Sequence, residues 1–197
     1  MPKIVDHDQR RAELVDATWR IIARHGLDGA TLREVAAEAG FANGALKPYF
    51  PTKADLIQAA FGHVFGRTNR RVAEATGGLA GLAALRAFAC EVLPLDDERL
   101  AEARAVMPFW QMAVNDPRML SANDEAMERW RSDMLRWLAE AAAAGELRAG
   151  LDAGSAAEGL LTFLLGAQVV AVLDPGHNGP DALVAQLDSH LGMLRAV

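Results

Sequence analysis

The sequence predicts an all-α fold with about nine helices, and two observations support this. Apolar residues recur at three- and four-residue spacing in almost every segment, which is the periodicity of an amphipathic helix. No segment of strand length alternates apolar and polar residues. Of the 197 residues 51% are hydrophobic, so the chain can bury a substantial core and is not globally disordered.

The first predicted helix covers residues 8–25 and ends at Gly26, because glycine readily adopts the positive φ of a helix stop. The second begins at Thr31, whose hydroxyl and the Glu34 carboxylate form a capping-box pattern. Gly40 ends this second helix. Both helices carry an apolar face that predicts packing against a shared core.

The third predicted helix covers residues 43–49 and is expected to be short, kinked or partly 3₁₀, because Pro48 lacks an amide hydrogen and crowds the preceding turn. The fourth starts after Thr52, with Asp55 as its capping partner, and reaches about Ala75. Further helices are predicted at about 79–93, 97–115, 118–144, 153–173 and 181–195.

Charge divides the chain into a mildly basic head and an acidic body. Residues 1–75 hold 11 Lys and Arg against 9 Asp and Glu, whereas residues 76–197 hold 9 against 17. We predict a head domain over residues 1–52, a connecting helix over 53–75 and a body domain over 76–197. The net charge of -6 excludes a polycation that coats nucleic acid or membranes, so any nucleic-acid contact must be local.

Composition also argues against several other classes. The amino-terminal residues lack the apolar segment of a secretory signal, and the longest uncharged apolar stretch, residues 159–173, is too short for a bilayer core of about 30 Å. Cys90 is the only cysteine, and the five histidines have no metal-ligand spacing. We therefore expect a cytoplasmic protein with no membrane partner, metal or cofactor.

The second and third predicted helices are separated by only Gly40, Phe41 and Ala42, which is the connection length of a helix-turn-helix. In this arrangement the first helix supports the second, which can enter the major groove of DNA. Small Gly44 and Ala45 allow close backbone approach. Helix, glycine turn and helix also occur in many helical proteins that do not bind DNA, so geometry alone leaves the function open.

Residues 10–64 resemble the amino-terminal DNA-binding domain of TetR-family transcriptional regulators. The resemblance is carried by Thr31-Leu32-Arg33-Glu34-Val35-Ala36, Gly40, Gly44-Ala45-Leu46, Tyr49-Phe50, Lys53 and Leu56. It implies an all-helical homodimer whose head binds a palindromic operator and whose body binds a small molecule that releases the operator. Repression is the default that the family implies, and the chain is expected not to be an enzyme.

The resemblance assigns DNA contacts by matching positions. This chain departs from the usual pattern at Lys47, where the family commonly has Tyr, at Pro48, and at Ala42, where a Ser commonly caps the helix. Thr31 is expected to serve as both cap and phosphate contact. The predicted DNA-binding residues are Thr31, Arg33, Asn43, Gly44, Ala45, Lys47, Tyr49 and Lys53.

The body resembles the effector domains of the subgroup that includes the choline-responsive betaine regulator, through Leu93-Pro94-Leu95-Asp96, Phe109-Trp110, Asp116-Pro117 and Trp130. Tryptophan faces can hold a quaternary ammonium. Aromatic residues at helical spacing are also typical of plain core. The candidate pocket residues are Phe61, His63, Phe65, Phe88, Met107, Trp110, Gln111, Trp130, Met134 and Trp137.

The helix at 153–173 is apolar on nearly all sides, and the last helix repeats apolar residues at three-four-three spacing. From periodicity alone, intramolecular core and subunit interface are equally supported, and the family resemblance favours a homodimer. The predicted interface residues are Gly159, Phe163, Gly166, Val170, Val184, Leu187, Leu191 and Leu194. Two alternatives to a DNA-binding regulator remain open: a helical protein-interaction module and a small all-α enzyme.

Overall fold

The structure, a computed structural model, describes residues 7–29, 31–42, 44 and 46–196. These residues form eight α-helices and one isolated β-bridge, which confirms the all-α prediction. The helices are α1 (His7–Gly29), α2 (Leu32–Glu38), α3 (Lys53–Thr76), α4 (Gly81–Val92), α5 (Asp97–Ala113), α6 (Pro117–Ala143), α7 (Ala153–Leu173) and α8 (Pro180–Gly192).

Most helix ends lie within two residues of their predicted positions. At Gly26 the backbone leaves helical geometry, with φ 72° and ψ -172°, although helical hydrogen bonding resumes beyond it. Two predictions are corrected. The described residues between 43 and 49 form a turn instead of an α-helix, and the last helix ends at Gly192 instead of about residue 195.

By packing, the chain divides into two compact units. Unit 1 comprises residues 1–66 and 104–120, and unit 2 comprises residues 67–103 and 121–197. Helices α3, α5 and α6 each contribute residues to both units. The predicted division at residues 52 and 76 stays a prediction about function.

Unit 1 has an apolar core that α1, α2 and the turn after α2 share with the first half of α3. Phe61 on α3 stacks on Phe109 of α5, with ring centroids 3.8 Å apart. The largest fully buried side chains in this unit are Leu14, Ile22, Leu46, Phe50, Leu56, Ile57, Phe109 and Met119.

Unit 2 is built around α4, α6, α7 and α8. Among the described residues, α7 is the one helix that could cross a membrane by length and composition. Eight of its 21 residues are buried, and its Glu158 pairs with Arg131. Residues 159–173, which were predicted to be too short for a bilayer core, belong to a helix of 21 residues, so that prediction is corrected.

Two carboxylates stabilise the start of α4, since its N-cap residue Ala80 offers no side-chain hydrogen bond. The amide of Gly81 donates to Glu140 over 3.1 Å and that of Leu82 donates to Glu146 over 2.9 Å. Gly81 has a φ of 56°, and a Cβ there would lie 2.8 Å from Glu146 Oε2. Both facts favour glycine at this position.

An ion-pair network joins α3 to α4 and α5 within unit 2. The buried Glu102 carboxylate accepts from Arg71 Nη1 and Nη2 over 3.0 and 2.7 Å, and Arg67 Nε lies 3.4 Å from it. Arg71 also donates to Glu91 over 3.2 Å. Burial opposes the charge of Arg71, but Glu102 and Glu91 outweigh it and raise the pKa of the guanidinium.

A short backbone pairing joins residues 146–148 to residues 194–196. The amide of Arg148 donates to the carbonyl of Leu194 over 2.9 Å, and the amide of Ala196 donates to the carbonyl of Glu146 over 2.8 Å. Leu147 and Arg195 form the β-bridge between them. This pairing explains why the chain leaves the helix at Gly192.

Candidate nucleic-acid interface

Helix α2 is fixed at both ends by local hydrogen bonds. Thr31 Oγ1 accepts from the amide of Glu34 over 3.2 Å, and the amide of Thr31 donates to Glu34 Oε2 over 3.3 Å, so the predicted capping box is confirmed. The hydrogen bonds from Thr31 lower the pKa of Glu34. At the other end the helix closes in a Schellman motif. The amide of Gly40, which has a φ of 74°, donates to the carbonyl of Ala37, and the amide of Phe41 donates to the carbonyl of Ala36.

The chain after α2 forms a single helical turn over residues 46–50. The amides of Tyr49 and Phe50 both donate to the carbonyl of Leu46, over 2.9 and 2.8 Å, which mixes 3₁₀ and α spacing. Pro48 has no amide to continue the pattern. Leu46 and Phe50 are each 1% exposed and anchor the turn in the core of unit 1.

Part of the predicted DNA contacts lies exposed on α2, on the chain that follows it and on this turn. Arg33, Gly44 and Lys47 are exposed, and Tyr49 is half-buried with its ring 4.2 Å from that of His7. Among the residues that the structure describes, Arg33 and Lys47 form no ion pair. Asn43 and Ala45 lie outside the described residues, so their predicted contacts stay predictions.

Thr31 and Lys53 stand at the first turns of two helices. The amide and the hydroxyl of Thr31 both donate to Glu34 Oε2, the hydroxyl over 2.6 Å, so neither donor is left for a phosphate. A phosphate contact from this hydroxyl would therefore have to replace the capping bond. Lys53 begins α3 directly after Thr52, which forms the predicted box with Asp55.

Two arginines on α1 belong to the same region and were missed by the sequence reasoning. The guanidinium of Arg10 lies 5.5 Å from the Phe41 ring centroid, and that of Arg11 lies 5.1 Å from the Phe50 ring centroid. Arg11 also lines a groove of about 500 Å³ together with Tyr49. The sequence shows two adjacent cations, but only tertiary structure places them beside the turn.

The predicted pocket residues belong to two different units. In unit 1, Phe61 is buried, His63 lies 3.9 Å from Asp16, and Gln111 is exposed. The remaining residues of this group are half-buried: Phe65, Met107 and Trp110.

The pocket residues of unit 2 form an aromatic cluster. Phe88 meets Trp130 edge-on at 5.6 Å and lies 5.5 Å from Trp137, with Met134 fully buried on the same helix as both tryptophans. Trp130 Nε1 donates to Asn69 Oδ1 over 3.0 Å. These contacts are those of a packed core, and whether the cluster also lines an effector cavity stays a prediction.

The structure separates the predicted interface residues into two groups. Gly159, Gly166 and Val170 are exposed on α7, while Phe163 and Val184 are half-buried. The other three, Leu187, Leu191 and Leu194, are buried in the core of their own chain. That part of the prediction is corrected, because residues with almost no exposed surface cannot form the main contact with a partner.

A capped helix followed by an exposed turn beside basic residues is the arrangement of a helix-turn-helix regulator, and this defines the class of the protein. Residues 14–60 match the family described as bacterial regulatory proteins of the tetR family, and residues 81–196 match the BetI-type transcriptional repressor C-terminal family. The chain therefore belongs to the TetR family of transcriptional regulators. Its relatives are regulators and not enzymes, which confirms the prediction of a non-enzyme.

Sequence similarity to known regulators extends over most of the chain. The HTH-type transcriptional regulator PksA of Bacillus subtilis is 28% identical over 192 residues, covering 97% of this chain and 92% of its own. The HTH-type transcriptional regulator BetI of Burkholderia cenocepacia is 32% identical over 163 residues, covering 78% and 81%. BetI-type relatives support the predicted subgroup.

Solved structures share the fold. A transcriptional regulator from Rhodococcus superposes with a TM-score of 0.83 at 27% identity, covering 93% of this chain and 95% of its own. A transcriptional regulator from Saccharomonospora viridis, solved in complex with choline, superposes with a TM-score of 0.88 at 20% identity, covering 96% and 100%.

Proposed function

We propose that this chain is a homodimeric repressor that binds an inverted-repeat operator through α2 and the turn at residues 46–50, and that a small molecule bound in the body releases it. The observation that carries the proposal is the turn itself, which buried Leu46 and Phe50 hold rigidly while Lys47 stays exposed. In this proposal residues 1–52 read DNA, residues 53–75 connect, and residues 76–197 bind effector and partner.

The proposed roles follow from chemistry and position. Arg33, Lys47 and Lys53 supply cations for phosphates or guanine edges, and Tyr49 supplies a hydroxyl donor. Gly44 and Ala45 allow close approach, while Asn43 can pair with a base. Thr31 chiefly holds α2 in place.

Arg10 and Arg11 extend the proposed contact surface beyond the matched positions. Arg10 lies against Phe41, which precedes the turn, and Arg11 lies against Phe50 within it, so both charges are held near the surface that would face DNA. A cation in this position attracts the phosphate backbone without reading sequence.

The proposed dimer uses the exposed side of α7. Gly159 and Gly166 would allow close helix approach, and Val170 and Leu173 present apolar surface at 38% and 70% exposure. Two symmetry-related heads would then read half-sites about 34–36 Å apart, or a multiple of that distance.

The proposed effector binds in the body and favours a dimer that no longer fits the operator. Helix α3 carries residues of both units, so it can transmit the change. A coupling of about 1–3 kcal/mol would change operator affinity roughly 5- to 150-fold. The choline found in the Saccharomonospora regulator makes a quaternary ammonium one candidate, and a cytoplasmic location follows from the role.

Selection of bound duplexes from a random pool tests the DNA-binding proposal. We expect an enriched palindrome whose binding weakens steeply as salt rises. A purified dimer that enriches no sequence, or whose binding is insensitive to salt, would contradict the proposal and favour the protein-interaction alternative.

Two substitutions test the assigned surface. Lys47→Ala should lower operator affinity at least about 5-fold and change sequence preference if the side chain reaches a base. Arg70→Ala removes the same charge from an exposed position of α3 in unit 2 and should leave affinity within about 2-fold. Equal losses for both variants would refute the assignment of the turn.

A third substitution tests the dimer. Val170→Glu places a charge on the exposed side of α7 and should convert the dimer to monomer in analytical ultracentrifugation, with loss of operator binding. Glu158→Gln on the same helix serves as the control and should leave the dimer intact.

A further inference from the structure

A groove of about 320 Å³ lies between α3 and α6 within unit 2, which is a volume that suits a small ligand. Its residues combine apolar and polar chemistry, and most of them were not predicted as pocket residues. The lining residues used below are Asn69, Val72, Arg129, Asp133, Arg136 and Trp137.

Asn69 lines this groove and carries an amide donor that has no partner among the described residues. Trp130 Nε1 can only donate, so the atom of Asn69 that it meets at 3.0 Å must be the amide oxygen. This fixes the amide orientation and leaves Nδ2 buried with no acceptor among the described residues. A buried donor without an acceptor is unfavourable, so an acceptor bound at this end of the groove would be stabilised.

The charges along α6 add a positive site. Asp133 is already paired with Arg136 over 3.1 Å, and Arg136 also donates to Glu140 over 3.3 Å. Arg129, one turn before Asp133, forms no ion pair within the part of the chain that the structure describes. The groove therefore keeps one uncompensated guanidinium, which is the preferred partner of a carboxylate.

A cation is disfavoured in the same place. The guanidinium of Arg136, another lining residue, already lies 4.8 Å from the ring centroid of Trp137, so one face of that ring already holds a cation. A second cation would also meet the charge of Arg129. Val72 and Trp137 supply the apolar part of the lining.

We propose that the α3–α6 groove binds a small organic carboxylate, whose carboxylate group pairs with Arg129 and accepts from Asn69 Nδ2 while its apolar body lies along Val72 and Trp137. This site is independent of the proposed operator binding, because it requires neither DNA nor a dimer. It differs in charge preference from the choline hypothesis.

Three probes with the same phenylpropyl body test the charge preference: 3-phenylpropionate, its primary amide and 3-phenylpropylamine. Each is titrated into the full chain without DNA, with binding followed by calorimetry and by tryptophan fluorescence. We expect the carboxylate to bind at least about 10-fold more tightly than the amide, because a charge-assisted bond is lost in the amide. Equal affinity for the amide, tighter binding of the amine, or no saturable binding of the carboxylate would overturn the proposal.

Matched variants place the site. Arg129→Gln should weaken carboxylate binding at least about 10-fold, whereas Arg129→Lys should restore part of it. Asn69→Asp keeps an oxygen that accepts from Trp130 but replaces the amide donor with a carboxylate oxygen, which repels the ligand. This variant should therefore lose carboxylate binding, and circular dichroism should show that it is still folded. Arg131→Gln, which removes an arginine of α6 paired with Glu158 outside the groove lining, should bind as the parent does. Carboxylate binding unchanged in Arg129→Gln and Asn69→Asp would place the ligand elsewhere and refute the site.

Discussion

The capping boxes of unit 1 and the arginine ion pairs of unit 2 differ greatly in the sequence distance that they span. In unit 1 the capping boxes join residues three apart, as between Thr31 and Glu34. In unit 2, Arg71 reaches Glu102 across 31 positions and Arg86 reaches Asp188 across 102. Local contacts follow from local sequence, whereas distant contacts exist only after the helices have packed. The contrast indicates which parts of each unit depend on complete folding.

The largest expected effect comes from the ion network of unit 2. Glu102→Ala leaves Arg71 and Arg67 without their buried carboxylate, so we expect the free energy of unfolding to fall by about 3 kcal/mol in urea denaturation. Glu158→Ala breaks the exposed pair with Arg131 and should cost less than about 1 kcal/mol. Similar losses for both variants would show that the network adds nothing beyond a surface pair.

A smaller effect is expected where the backbone of unit 2 requires glycine. Gly81→Ala combines an unfavourable positive φ with a close approach to Glu146, so the free energy of unfolding should fall by about 2 kcal/mol. Gly62→Ala, in open space on α3, should instead gain up to about 1 kcal/mol. Chemical denaturation measures both, and a stabilised Gly81→Ala protein would contradict the described geometry.

The capping box of unit 1 should contribute less. Thr31→Ala removes the hydroxyl that accepts from the Glu34 amide, and we expect a loss of about 1 kcal/mol in the free energy of unfolding. Ser132→Ala, an exposed hydroxyl within α6, should change stability by no more than about 0.5 kcal/mol. Indistinguishable melting of the two variants would rule out an energetic role for the cap.

The smallest expected effect is a pH dependence in unit 2. Partial burial beside Phe163 lowers the pKa of His190 below its ordinary value of 6.5, so the folded state favours the neutral ring. This contribution to stability is fully present above pH 6.5 and is lost as the pH falls through the lowered pKa. His190→Gln should therefore flatten the loss of thermal stability on acidification from pH 7 to about pH 5. An unchanged profile in His190→Gln would exclude this residue as the source.

Sequence reasoning predicted the features that depend on near neighbours. The caps at Thr31 and Thr52 and the stop at Gly40 follow from side-chain chemistry within a few residues, and so does the interruption of the third helix by Pro48. The carboxylates that cap α4 could not be predicted, because Glu140 and Glu146 are about 60 positions from the amides they accept.

The candidate site shows the same limit. Exposed Arg33 and Lys47 were predicted from position, but the placement of Arg10 and Arg11 beside Phe41 and Phe50 requires the packed head. On α8, periodicity marked an apolar stripe correctly. It could not tell a partner subunit from the chain's own core, because both bury the same kind of surface.

The pairing of residues 146–148 with 194–196 has a practical consequence for protein engineering. The carbonyl of Glu146 accepts from the amide of Ala196, and its carboxylate accepts from the amide of Leu82 in the first turn of α4. A force applied at residues 194–196 is therefore passed on to the start of α4. A reporter or affinity tag inserted directly after residue 196 would load this junction, whereas a flexible spacer of several glycine and serine residues would relieve it.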